Sequence, residues 1–179
     1  MDTIGNKLRL LVETYRARGL PHGDGMLPPA DPLAIDLAEK SLGCQFPPSL
    51  RLAYATFGGQ DYLSPGVTGI FGRHRLLSPT EAAKDHQMYE ETVWPSGIEP
   101  PPPGCLPGEN WNYWHPALIP FASWDAYNLV MCHHTHRIWE YEPYSGLSTR
   151  LFPNLDALLG AALLIAEQSD EPALDFYTE

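Results

Sequence analysis

The chain has 179 residues, 44% of them apolar and 18% charged, with 22 acidic against 11 basic side chains and a formal net charge of −11. That length is most simply one domain, with a core large enough to need no metal or disulfide staple, and the apolar content argues against a disordered chain. A surface this anionic repels phosphate backbones and anionic lipid, so direct binding to nucleic acid or to a membrane is not expected.

Ile4, Leu8, Leu11, Val12 and Tyr15 recur at helical spacing, predicting an amphipathic helix that ends before Gly19. After a Gly/Pro-rich connector, Asp31 is placed as an N-cap with Pro32 at the first helical position of a helix running to Gly43. "FPPSLRLAYATFGG" opens a short helix at its prolines and stops it at Gly58-Gly59, and "VTGIFG" is read as a strand. Ser78-Pro79-Thr80-Glu81 is a capping box for a helix through about Glu91. The stretch that follows, Pro-rich at about 95–110, sustains neither helix nor ladder and is read as a long loop. Three extended runs come next, Ala117–Ala122, Tyr127–Cys132 and Arg137–Glu142, with a fourth expected over Ser148–Phe152. Asn154 caps a last helix, and the acidic tail 169–179 is expected to be loosely held. Helices first and adjacent strands later predict an α+β fold with an antiparallel sheet.

The charge is unevenly placed. Residues 1–80 carry 7 acidic and 8 basic side chains, a balance of +1, whereas residues 81–179 carry 15 and 3, a balance of −12. The acidity either steers a basic protein toward the C-terminal half or serves solubility alone. The N-terminus has charges throughout and no signal-peptide run, and no apolar stretch is long enough to span a bilayer. Cys44, Cys105 and Cys132 lie far apart, which favours reduced thiols in a cytoplasmic protein over a secreted disulfide framework.

The most chemical-looking stretch is "MCHHTH" (131–136). On a strand His134 and His136 would share a face while His133 points away, and no second ligand pair exists elsewhere, so a zinc site lacks half its donors. "YNLVMC" and "RIWEYE" flank the histidines as strands, so "HHTH" is read as the hairpin turn between them, in preference to a metal site. No GxSxG elbow or phosphate loop is present, and Cys132 and His133 point to opposite strand faces. No catalytic residue, metal ligand or cofactor is therefore assigned. Glu140 and Glu142 share a strand face and are read as a solvated acidic stripe alternating with buried Trp139 and Tyr141. Trp94, Trp111, Tyr113, Trp114 and Trp124 either line a binding surface or pin the long loop.

Several segments, in order, resemble the SUKH superfamily, which includes fungal Smi/Knr regulators of cell-wall synthesis and many bacterial toxin-immunity proteins. "DPLAIDLAEKSLGCQFPPSLRLAYATFGGQ" is similar to its opening signature, with Leu42-Gly43, Phe46-Pro47, Leu50-Arg51, Tyr54 and Gly58-Gly59 in place. Phe57 stands where Asn is usual, and Pro48 is an extra proline. "RLLSPTEA" resembles the family's helix start, and "HPALIPFASWDAYNLVMCHHTHRIWEYEP" its core hairpin, with Thr135 at the Thr position and His136 where Gly is usual. "FPNLDALLGAAL" resembles the closing segment, so the likeness runs from about residue 31 to 165.

The resemblance implies a single SUKH-like domain over 1–179, an α+β fold whose mainly antiparallel mixed sheet is flanked by helices. It also implies a non-enzymatic role: an immunity protein that occludes the active site of a toxin. Alternatives are a regulatory module binding endogenous proteins and, less favoured, a His-cluster metalloprotein or hydrolase. The acidic half fits a basic toxin catalytic domain, and Trp111, Trp114, Asp125, Glu140 and Glu142 are the expected partner-binding residues.

Overall fold

The computed structural model describes residues 3–61, 68–93, 101–102, 104–108, 111–148 and 152–168. Helix α1 (Thr3–Ala17) buries Ile4, Leu8, Leu11, Val12 and Tyr15, the stripe its spacing predicts. Asp31 caps α2 (Pro32–Leu42) by accepting the Leu33 amide at 2.9 Å, and Gly43 ends it at φ +68°, a conformation a side chain would disfavour. Helix α3 (Pro48–Thr56) opens on its prolines. At the head of α4 (Pro79–Val93) the capping box is reciprocal: Glu81 accepts the Ser78 amide at 2.8 Å, and Ser78 Oγ accepts the Glu81 amide at 3.3 Å. Asn154 Oδ1 accepts the Ala157 amide at 2.9 Å to cap α5 (Leu155–Gln168).

Among the described residues, one five-stranded sheet follows chain order as an antiparallel meander: β1 (Arg75–Leu76), β2 (Leu118–Trp124), β3 (Tyr127–Cys132), β4 (Ile138–Glu142) and β5 (Gly146–Leu147). The fold is therefore α+β, as expected. One strand expectation needs correction. Thr68–Gly72 form no strand; the chain there folds so tightly that a Cβ on Gly69 would sit 2.0 Å from the His74 carbonyl carbon, and Gly72 turns it at φ +70°. Pairing begins only at β1. Beyond β4, Gly146–Leu147 pair with Tyr141–Glu142; of the strand expected over Ser148–Phe152, residues 149–151 lie outside the described residues, while the Ser148 amide donates to the Glu140 carbonyl and Phe152 bridges Ile138. Of the Pro-rich loop, residues 95–100, 103, 109 and 110 also lie outside, as does the tail 169–179.

Both faces of the sheet are covered, and by different materials. Leu129 and Met131 of β3 and Ile138 of β4 join the main core with α1, α2, α3 and α5. Their strand neighbours Val130, Cys132, Trp139 and Tyr141 point the other way, into a smaller layer closed by Tyr89 from α4 and Trp114 from the loop. Gly108 lies directly on Trp139: a Cβ there would be 2.4 Å from the indole nitrogen. No helix among the described residues is long and apolar enough to cross a membrane.

Candidate functional site

The signature residues of the first half turn inward and hold the frame. Glu39, buried on α2, accepts the Phe46 amide at 2.8 Å and pairs with Arg51 at 2.5 Å; the same guanidinium reaches Asp36 at 3.0 Å. One arginine thus clamps α3 to α2 across the Gly43 turn. Gly58 and Gly59 are equally structural. A Cβ on Gly58 would meet the Pro28 carbonyl oxygen at 2.6 Å, and Gly59, at φ +135°, lies against the Ser78 backbone. Gln60 follows, its buried amide donating to the His22 and Asp24 carbonyls while its oxygen accepts the Ile70 amide. Glu39, Gln60 and the two glycines are enclosed by these contacts, whereas Arg51 and Asp36 keep solvent-exposed surface.

The five residues read from the sequence as partner-binding separate into two groups. Glu140 is only 3% exposed and faces the fully buried His74, with Oε1 3.1 Å from Nε2. The solvated acidic stripe is thereby corrected: Trp139 and Tyr141 are buried as expected, but the opposite face is also covered, so alternation does not lead Glu140 to water. Trp114 is fully buried between Tyr89, Tyr141 and His86, with ring centroids 4.9–5.3 Å away. Trp111 is half-buried, and its indole N–H donates to the Trp114 carbonyl at 2.8 Å, so this pair of tryptophans pins the loop. Trp94 lies outside the described residues. Asp125 and Glu142 remain accessible. Glu142 closes the β4–β5 turn, accepting the Tyr144 amide at 3.1 Å and the Ser145 amide at 2.7 Å, and hydrogen bonding from Ser145 and those amides holds its carboxyl below the usual range.

The histidine stretch is the hairpin turn the flanking strands predict. The Cys132 amide donates to the Arg137 carbonyl at 3.0 Å, the His136 amide donates back to Cys132 at 2.8 Å, and His136 takes φ +60°, the left-handed position usually given to glycine. Around this turn the rings of His133 and His134 lie 3.7 Å apart. His115 is fixed in one tautomer, because its Nδ1 accepts the Ala117 amide and its Nε2 must then donate to the Cys105 carbonyl. Burial, reinforced by neighbouring imidazoles, lowers the pKa of both His115 and His133. Among the described residues, no group of three His, Cys, Asp or Glu side chains is placed to hold a metal ion.

At the opposite end of the sheet the structure adds Tyr127 and Arg73 to Trp124 and Asp125, which the sequence reading had selected. Strands β2 and β3 join through the two-residue turn Asp125-Ala126, with Trp124 paired to Tyr127 in register. Their rings stack at 5.6 Å and 22°, and the Arg73 guanidinium lies 4.5 Å over Trp124. Two aromatics flanking a two-residue turn, "WDAY", were a visible signal for this arrangement; the contribution of Arg73, from before β1, was not.

A frame built on the Leu-Gly, Arg and Gly-Gly signature, carrying a consecutive antiparallel meander between helices, defines a SUKH-type domain. The SMI1 / KNR4 family (SUKH-1) matches residues 29–161, well over half of the chain, and the chain belongs to that family. No curated protein matches the sequence as a relative. Helix α1 precedes the matched span, yet Leu8, Leu11 and Tyr15 are central to the main core.

Proposed function

We propose that this is a non-enzymatic protein-binding domain acting in the cytoplasm as an immunity protein, and that it neutralises a basic toxin catalytic domain by covering its active site. Membership of the SMI1 / KNR4 family supports a binding role. The observation that carries the choice of partner is the charge: 15 acidic and 3 basic side chains in residues 81–179. A nuclease-type toxin is basic because it must hold phosphates, and an acidic protein meets it with fast, salt-sensitive association. Of the residues expected at the contact, Trp111, Asp125 and Glu142 keep accessible surface and remain the candidates, while Glu140 and Trp114 belong to the interior.

The test is to express the C-terminal domain of the protein encoded by the neighbouring gene and titrate it with the purified protein, followed by calorimetry and by that domain's toxicity. Stoichiometric binding that abolishes activity, and that weakens as salt rises from about 50 to about 300 mM, is the expected result. Absence of binding, or binding that leaves the toxin active, would overturn the immunity reading in favour of a regulatory module for endogenous proteins.

A further inference from the structure

We infer that the partner-binding surface is the rim of the sheet formed by the β2–β3 and β4–β5 turns, and that it takes a basic protein surface presenting Arg or Lys beside Trp124 and Asp125. This rests on the reading of the domain as the inhibitor of a basic protein, and adds where and how that protein is held.

The topology brings the two turns together. Trp124 pairs with Tyr127 and Asn128 with Tyr141, so the Asp125-Ala126 turn and the 143–145 turn lie at one end of the meander, with the histidine turn at the other. On this rim Trp124 is 39% exposed and Tyr144 93% exposed; among the other described aromatics Tyr113 is 46% exposed, whereas Trp114, Trp139, Tyr15, Tyr54 and Tyr141 are buried. Trp and Tyr give large contact area at small conformational cost, which is why they anchor protein interfaces.

Asp125 adds a second observation. A two-residue hairpin turn with positive φ at its first central position normally carries glycine there, but this chain puts an exposed aspartate at φ +53°. The turn thus presents a carboxylate at its tip, directly between the two aromatics. Nearby, the hydrogen-bonded Glu142 is held in its charged form. The chemistry of the visitor follows. The Trp124 ring is already covered by the Arg73 guanidinium at 4.5 Å and stacked on Tyr127, so Trp124 offers its exposed edge as apolar contact area, and the attraction for a cation comes from the carboxylates of Asp125 and Glu142. The same carboxylates turn away a phosphate backbone.

The probe is the same C-terminal domain from the neighbouring gene, with dissociation constants compared for wild type, Asp125→Lys, Tyr144→Ala and Trp124→Ala, and for His134→Ala at the far end of the sheet. Asp125→Lys is expected to weaken binding about 30-fold or more, largely through a slower association rate. Trp124→Ala and Tyr144→Ala are expected to weaken it about 10- to 100-fold through faster dissociation, and His134→Ala less than about threefold. In wild type, backbone amide exchange at 124–127 and 142–146 should slow in the complex, a readout that needs no variant to fold. If wild type binds but the rim variants stay within about threefold of it, or the rim gains no protection, the surface is wrongly placed although the inhibitor reading stands. If wild type does not bind at all, both fall together.

Discussion

The two ends of the sheet meet the same local difficulty with different chemistry. Each connects adjacent strands through a turn in which a residue other than glycine occupies the left-handed region, Asp125 at one end and His136 at the other. At the Asp125 end Trp124 and Asp125 are exposed, Tyr127 stacks on the tryptophan, and the Arg73 guanidinium lies over the same ring. At the His136 end the side chains around the turn are imidazoles, with His133 lying close to His134 and its amide donating to the Ala117 carbonyl at 2.9 Å. The first end sets a guanidinium over an aromatic ring beside an exposed aspartate, whereas at the second the imidazoles crowd together and, with burial, lower the pKa of His133. A left-handed non-glycine residue therefore says that a position is special, and the neighbours decide in which way.

The largest expected effect tests how far the Asp125 end extends along β4. Glu140 and Glu142 are two residues apart, yet one faces buried His74 and the other closes a turn in water. Glu140→Ala removes the carboxylate that faces the buried imidazole and is expected to cost about 1–3 kcal/mol in urea denaturation. Glu142→Ala should leave the midpoint near wild type, because the turn amides it serves can turn to solvent. Comparable losses from the two would erase the boundary drawn here between interior and rim.

The next effect belongs to the histidine end. The folded values of His115 and His133 lie below the ordinary 6.5, so the native state binds fewer protons than the unfolded chain. Stability from these groups is complete above about pH 6.5 and is lost as pH falls from there through their folded values. Urea midpoints at about pH 7.5 and about pH 5.5 should fall with acidity, and His133→Gln should flatten that fall. A slope unchanged by the substitution would remove the imidazole cluster as its cause.

The smallest effect compares the turns directly. Glycine at either left-handed position relieves backbone strain, so His136→Gly and Asp125→Gly are each expected to raise stability by about 0.5–1 kcal/mol, read from the thermal midpoint. Only Asp125→Gly should also weaken capture of a basic partner. If both variants bind equally well, the strain at Asp125 has no functional counterpart.

Much of the frame was legible because local chemistry specifies it. Asp31-Pro32, Ser78 with Glu81, and Asn154 announce helix starts through the amides they satisfy, and "HHTH" between two apolar runs announces a turn. Glu140 was not legible, since period-2 alternation says which residues share a face but not whether that face meets water. Its partner His74 comes from a tight turn before β1, 66 positions earlier, and no periodicity links the two. The strand expected over "VTGIFG" failed for a similar reason. Its apolar residues Ile70 and Phe71 do enter the core, but from a turn whose shape depends on Gly69 and Gly72.

Strands β1 and β5, at the two margins of the sheet, are only two residues long. A foreign strand laid alongside either one finds almost no run of open amides and carbonyls to copy, and growth of fibres from a sheet margin needs such a run. The turns at the ends of the meander are thereby uncoupled from the hazard that usually limits aromatic enrichment on a β protein. They carry exposed tryptophan and tyrosine without standing beside a long described margin strand.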